Sequence, residues 1–79
     1  MQKSAHTPRY RVFIAQLVAA RKSAGLTQQE LADLLGRPQS FVAKYENGER
    51  RLDVVEFLEI AEHLDADPYR IMRRVAKAR

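Results

Sequence analysis

The sequence predicts an all-α fold, a compact five-helix domain with short connections. Three observations carry this expectation. Apolar residues recur at helical spacing in successive stretches, and no stretch alternates with period two for long enough to make a strand. Helix-capping chemistry stands ahead of most of these stretches, at Thr7-Pro8, Thr27 with Glu30, Asp53 with Glu56, and Asp67-Pro68. Glycines stand where the first three stretches end, at Gly25, Gly36 and Asn47-Gly48.

Each element follows from its residues. Thr7 caps the first helix, with Pro8 in its first turn, and Tyr10, Phe13, Ile14, Leu17 and Val18 make its inward face until Gly25 stops it. Thr27 caps the second helix and Glu30 completes a capping box, with Leu31, Ala32 and Leu35 buried and Gly36 at the end. Pro38 opens the third helix, Val42 and Tyr45 point inward, and Asn47-Gly48 terminates it. Asp53 caps the fourth helix, whose apolar stripe is expected to be Val54, Phe57, Leu58, Ala61 and Leu64. Carboxylates in its first turn suit the positive end of the helix dipole. Asp67-Pro68 starts a fifth helix with Ile71, Met72 and Val75 on its apolar face.

A chain of 79 residues is one small domain. Chains near this size bury only about 60–65% of the surface exposed when unfolded, so stability is modest and oligomerisation would help. With no cysteine, neither disulfides nor cysteine-ligated zinc can staple the fold, and a reducing compartment is permitted. No apolar run approaches the ~20 residues of a membrane span, and the N-terminal sequence lacks the apolar stretch of a signal peptide. The expectation is a soluble cytoplasmic protein.

The net charge of +4 hides an asymmetry. Residues 1–22 carry Lys3, Arg9, Arg11, Arg21 and Lys22 with no acid, and residues 70–79 carry Arg70, Arg73, Arg74, Lys77 and Arg79 with none either. Residues 53–67 carry Asp53, Glu56, Glu59, Glu62, Asp65 and Asp67 with no Lys or Arg. A polyanion binder would keep that acidic segment away from its ligand, although a charge run is also the ordinary dress of a solvated face.

Residues 26–52 are the most informative stretch: two short amphipathic helices broken at Gly36-Arg37-Pro38, the second opening with small polar residues and followed by Arg50 and Arg51. Such a helix beside a basic loop suits the major groove of DNA. Arg21, the run from Gly25 to Ala32, Gly36, Val42 and the run from Tyr45 to Gly48 together resemble the lambda-repressor and Cro-type (XRE-like) helix-turn-helix family, from about Phe13 to Ile71. The resemblance implies a lambda-repressor-like DNA-binding domain that binds operator DNA as a symmetric homodimer, with its helix-turn-helix at 27–47; the chain itself divides into a basic N-terminal arm at 1–7 and a single domain at 8–79.

Particular residues follow from that expectation. Gln39, Ser40, Ala43 and Lys44 lie outward on the third helix as candidate base contacts: Gln pairs bidentately with adenine, Lys suits guanine, Ser serves several bases, and Ala can meet a thymine methyl. Gln28, at a helix start where free N–H groups favour phosphate, joins Arg37, Asn47, Arg50 and Arg51 as candidate phosphate contacts. Arg21 and Glu46 match a pair that forms a salt bridge between first and third helices in the family, though Arg21 could also lean toward a phosphate. Phe41 either packs against the fourth helix or offers an apolar edge to DNA. The family usually has an apolar residue and then Ser or Thr where this chain has Arg37-Pro38, so the turn lacks a capping side chain. The basic arm and the arginine-rich last helix extend beyond the motif.

Catalysis is not expected. His6 and His63 are far apart and lack metal-ligating company, Glu59 and His63 read as a surface ion pair, and no nucleophile–base set or phosphate-cradling glycine loop is present. No cofactor, metal or small-molecule ligand is expected, and no membrane. The reading is a small transcriptional regulator of bacterial or phage type, a repressor of a pseudo-palindromic operator in double-stranded DNA. The alternative is an antitoxin-like or coactivator-like protein-interaction module in which the helix-turn-helix is secondary. An RNA binder would want several exposed aromatics among its basic residues, which the chain lacks.

Overall fold

The computed structural model describes residues 7–78; the segment 1–6, with Lys3 and His6 of the basic arm, and Arg79 lie outside the described residues. Five helices follow one another: α1 (Pro8–Ser23), α2 (Gln28–Leu35), α3 (Gln39–Glu46), α4 (Val54–His63) and α5 (Pro68–Lys77). The described residues contain no strand, and no described helix is long and apolar enough to cross a membrane.

The helices start where side chains satisfy their free N–H groups. The Tyr10 amide donates to Thr7 Oγ1 at 3.2 Å. Reciprocal capping boxes join Thr27 to Glu30 at 3.0 and 2.9 Å, and Asp53 to Glu56 at 2.8 and 3.0 Å. Asp67 accepts from the amides of Tyr69 and Arg70. Only α3 starts without such a bond, because Pro38 occupies its cap position.

Four helices end on one repeated device. Residues at positive φ, namely Gly25, Gly36, Gly48 and Asp65, reverse the chain. In each case the next amide donates to the carbonyl five residues back: Leu26 to Arg21, Arg37 to Ala32, Glu49 to Lys44 and Ala66 to Ala61, at 2.9–3.2 Å. A Cβ at Gly36 would meet nothing within 4 Å, so its φ of +68°, rather than space, is what glycine accommodates there. Asp65 does the same at φ 53° with a side chain that tolerates this region.

Packing is α2 on α3, α1 on α5, and α1 and α2 on α3 and α4 respectively. Leu17, Leu31, Val42, Tyr45 and Ile60 are fully buried at the centre. Tyr10, Phe13 and Phe57 continue the core in edge-to-face contacts at 5.5 and 5.0 Å, and the Tyr10 hydroxyl accepts the Leu52 amide at 2.9 Å. Arg9 donates to the carbonyls of Ala78 and Ala76 at the end of α5, which ties the first helix's start to the last helix's end.

The buried faces of the last two helices differ from expectation. On α4 the inward set is Phe57, Ile60, Ala61 and Leu64, while Val54 and Leu58 are exposed. Apolar residues nearly surround this helix, and its neighbours select the face that Ile60 shares. On α5 Ile71 is buried and Val75 half-buried, which turns Met72, about 100° away from Ile71, outward. Leu35 is only half-buried, and Glu59 and His63 are both exposed without forming an ion pair.

Candidate nucleic-acid interface

The inward positions of α3 leave Gln39, Ser40 and Lys44 exposed and Ala43 half-buried along its other side. Phe41 belongs to the core: it is buried and meets Tyr45 edge-to-face at 5.6 Å. The exposed stripe continues to Asn47 at the helix end.

A chain of hydrogen bonds runs from α1 to the first residue of α3. Arg21 grips Glu46 with Nε on Oε2 at 2.7 Å and Nη2 on Oε1 at 3.0 Å, while its Nη1 donates to the Leu26 carbonyl at 2.8 Å. The pair is well shielded, with the side chains 10% and 6% exposed. Glu46 Oε1 also accepts Gln28 Nε2 at 2.8 Å, and Gln28 Oε1 accepts Gln39 Nε2 at 2.8 Å. The order of donors is forced. A carboxylate only accepts, so Gln28 must turn its amide nitrogen inward and its oxygen toward Gln39. Gln39 in turn keeps its own Oε1 and a second N–H for the outside, a donor beside an acceptor, which is what an adenine edge complements.

The basic residues are arranged in two clusters. Arg50 makes a two-pronged pair with Glu56 at 2.9 and 2.8 Å, and Arg37 reaches the same carboxylate at 3.5 Å. Both guanidiniums lie over the Phe41 ring, 4.4 Å (Arg37) and 4.9 Å (Arg50) from its centroid. The Arg50 hydrogen bonds hold the Glu56 carboxyl down to about 2, and Glu56 raises Arg50 in return. Arg51 lies over the Tyr10 ring at 4.7 Å and is exposed. Below α3, burial pushes the Tyr45 phenol well above its ordinary range, and its hydroxyl has no hydrogen-bond partner among the described residues.

The structure therefore brings Gln28, Gln39, Arg21 and Glu46 into one network and places Ser40, Lys44 and Asn47 on one exposed side. Arg37 and Arg50 stand together on Glu56, and Arg51 stands apart on Tyr10. Sequence reasoning took Glu56 for a cap residue only and missed its ion pairs. The one available signal was weak: two arginines, Arg37 and Arg50, on either side of the apolar Phe41 along the chain.

The helix-turn-helix family model matches residues 17–71. Among solved structures, an XRE-family-like protein from Pseudomonas syringae pv. tomato is 50% identical with a TM-score of 0.81, over 86% of this chain and 83% of that one. The restriction-modification controller protein C.AhdI from Aeromonas hydrophila is 35% identical with a TM-score of 0.68, over 76% of this chain and 91% of that one. No curated protein matches the chain.

Proposed function

The chain belongs to the XRE-type helix-turn-helix family of DNA-binding transcription regulators, and on that premise we propose that it is a repressor that binds a pseudo-palindromic operator as a homodimer. The observation that carries the reading is the hydrogen-bond chain ending on Gln39. It presents an oriented amide at the exposed start of α3, beside Ser40 and Lys44. A free surface amide would lose that orientation, and direct readout depends on it. In this reading Gln39, Ser40, Ala43 and Lys44 face bases, and Gln28, Arg37, Asn47 and Arg51 face phosphates, while Arg50, the fifth phosphate candidate, is committed to Glu56. The similarity to a controller protein supports regulation as the role.

The dimer is supported by an apolar face that the protomer leaves uncovered. Val54 and Val55 are 63% and 62% exposed, and Leu58, Tyr69 and Met72 join them from α4 and α5. Val54 and Met72 line one groove of about 470 Å³ with Tyr10, Phe13 and Phe57. So many exposed apolar side chains on a small domain suit a second copy. The protein-interaction alternative would use the same face, so the test must read DNA and assembly separately.

Selection of duplexes from a random pool at physiological salt should yield a two-fold-related motif with half-sites about one helical turn, ~34 Å, apart. Gln39→Ala should cost about 1–3 kcal/mol on that motif and relax preference at one position in each half-site. An unchanged motif bound equally tightly by Gln39→Ala refutes the reading. Sedimentation at tens of micromolar should show a dimer that tightens on the selected duplex, and Val55→Glu should shift it to monomer. A Val55→Glu protein that stays dimeric moves the interface elsewhere.

A further inference from the structure

Resting on the DNA-binding reading, we propose that Glu56 divides two arginines between two tasks: it fixes Arg50 as a brace under α3 and leaves Arg37 with a single long hydrogen bond, from which Arg37 transfers to a backbone phosphate. The carboxylate has about four acceptor positions. Arg50 takes two, at 2.9 and 2.8 Å, and the Asp53 amide takes a third at 3.0 Å. Arg37 holds the remaining one at 3.5 Å, past the usual range for an N–H donor.

The two guanidiniums are equally accessible, with side chains 41% and 40% exposed, so exposure does not distinguish them. Their commitments do. Arg50 Nη1 also donates to the Arg51 carbonyl at 3.0 Å, so its fork closes the loop after α3 onto the start of α4. Arg37 shares the Phe41 face with Arg50 but has one weak hydrogen-bond partner and most of its donors unused. It stands directly before Pro38 and Gln39, at the end of α3 that presents the oriented amide. Exchanging a 3.5 Å contact for a phosphate sacrifices little, whereas releasing Arg50 would break a bidentate pair and a loop bond. One carboxylate among two guanidiniums leaves a single net positive charge, so the cluster should neutralise one phosphate.

The salt dependence of binding counts that charge. Each neutralised phosphate contributes about 0.9 to the slope of log K against log salt. Arg37→Gln alone leaves Arg50 held by the Glu56 carboxylate and should lose about one from the slope on a 20-bp random-sequence duplex (about two helical turns). Arg50→Gln with Glu56→Gln leaves Arg37 without a competing carboxylate and should keep the wild-type slope. A wild-type slope for Arg37→Gln, or a loss of about one in the Arg50→Gln, Glu56→Gln variant, overturns the division of tasks. Urea unfolding of the single variants tests the brace without DNA: Arg50→Gln should lower the midpoint further than Arg37→Gln, and equal midpoints overturn it. A wild-type protein that binds no duplex at low salt refutes the DNA-binding reading, and the phosphate transfer with it, while the urea comparison still decides the brace.

Discussion

Replacing Glu46 with methionine would leave a guanidinium buried without its counter-charge. Arg21 would keep only its bond to the Leu26 carbonyl, and Gln28 would lose the acceptor that orients it. With both side chains about nine-tenths shielded, solvent cannot replace the lost partner. Removing one member of such a pair costs about 3–5 kcal/mol, against a total stability of roughly 4–12 kcal/mol for a chain of this length. Arg21→Met should be comparably harmful, since it strands the carboxylate. The double variant removes both charges and should lose far less than the sum, a coupling at the upper end of about 0.5–3 kcal/mol. Urea unfolding of the four proteins measures it directly. Single-variant effects that add to within about 0.5 kcal/mol would refute the account. All three Arg21 bonds point into the protein, so Arg21→Met should weaken DNA binding only as far as it loosens α3. A binding loss at unchanged stability would mean that Arg21 reaches a phosphate instead.

Two further outcomes follow from groups near the interface. The Tyr45 hydroxyl is buried and unpartnered among the described residues, so Tyr45→Phe should leave stability unchanged or raise it by about 1 kcal/mol, read as a higher melting temperature; a loss of that size would reveal a partner such as a buried water. Glu56 sits at about 2 in the folded state against an ordinary 4.5, so its stabilisation is complete above about pH 4.5 and is lost as pH falls toward 2. Urea midpoints between pH 2 and 6 should therefore fall less steeply with acid for Glu56→Gln than for the wild type, and parallel curves would remove Glu56 from the acid transition.

The helices were legible wherever their cause is local. Thr27 with Glu30 and Asp53 with Glu56 are bonds between residues three apart, and a reader of the sequence can form them without knowing the fold. The buried face of α4 was legible in part: Phe57, Ala61 and Leu64 are inward as read, but Val54, Val55, Leu58 and Ile60 offer apolar surface in several directions and only the packed neighbours choose Ile60 over Val54 and Leu58. At the interface, residue types were readable but their mutual bonding was not. Gln28 and Gln39 were each assigned to DNA separately, whereas their bond to each other spans the turn between helices. The pairing of Arg37 with Glu56, nineteen positions apart, likewise exists only once α2 packs against α4.

The tie between Arg9 and the end of α5 has a consequence for how the molecule opens. It closes the longest loop in the described chain, and that loop carries the largest entropy of closure. Apart from its packing along α1 and the Arg9 bonds, α5 buries only Ile71, with Val75 half-buried. The last helix should therefore be the first to undock, in a partial unfolding that leaves α2 and α3 packed together. Its amides should exchange with solvent ahead of those in α3, so the reading helix can stay formed while its distant cover breathes. Because Tyr69 and Met72 belong to that helix, a second copy seated on them would slow the breathing, and protomer association would be recorded as hydrogen-exchange protection far from DNA.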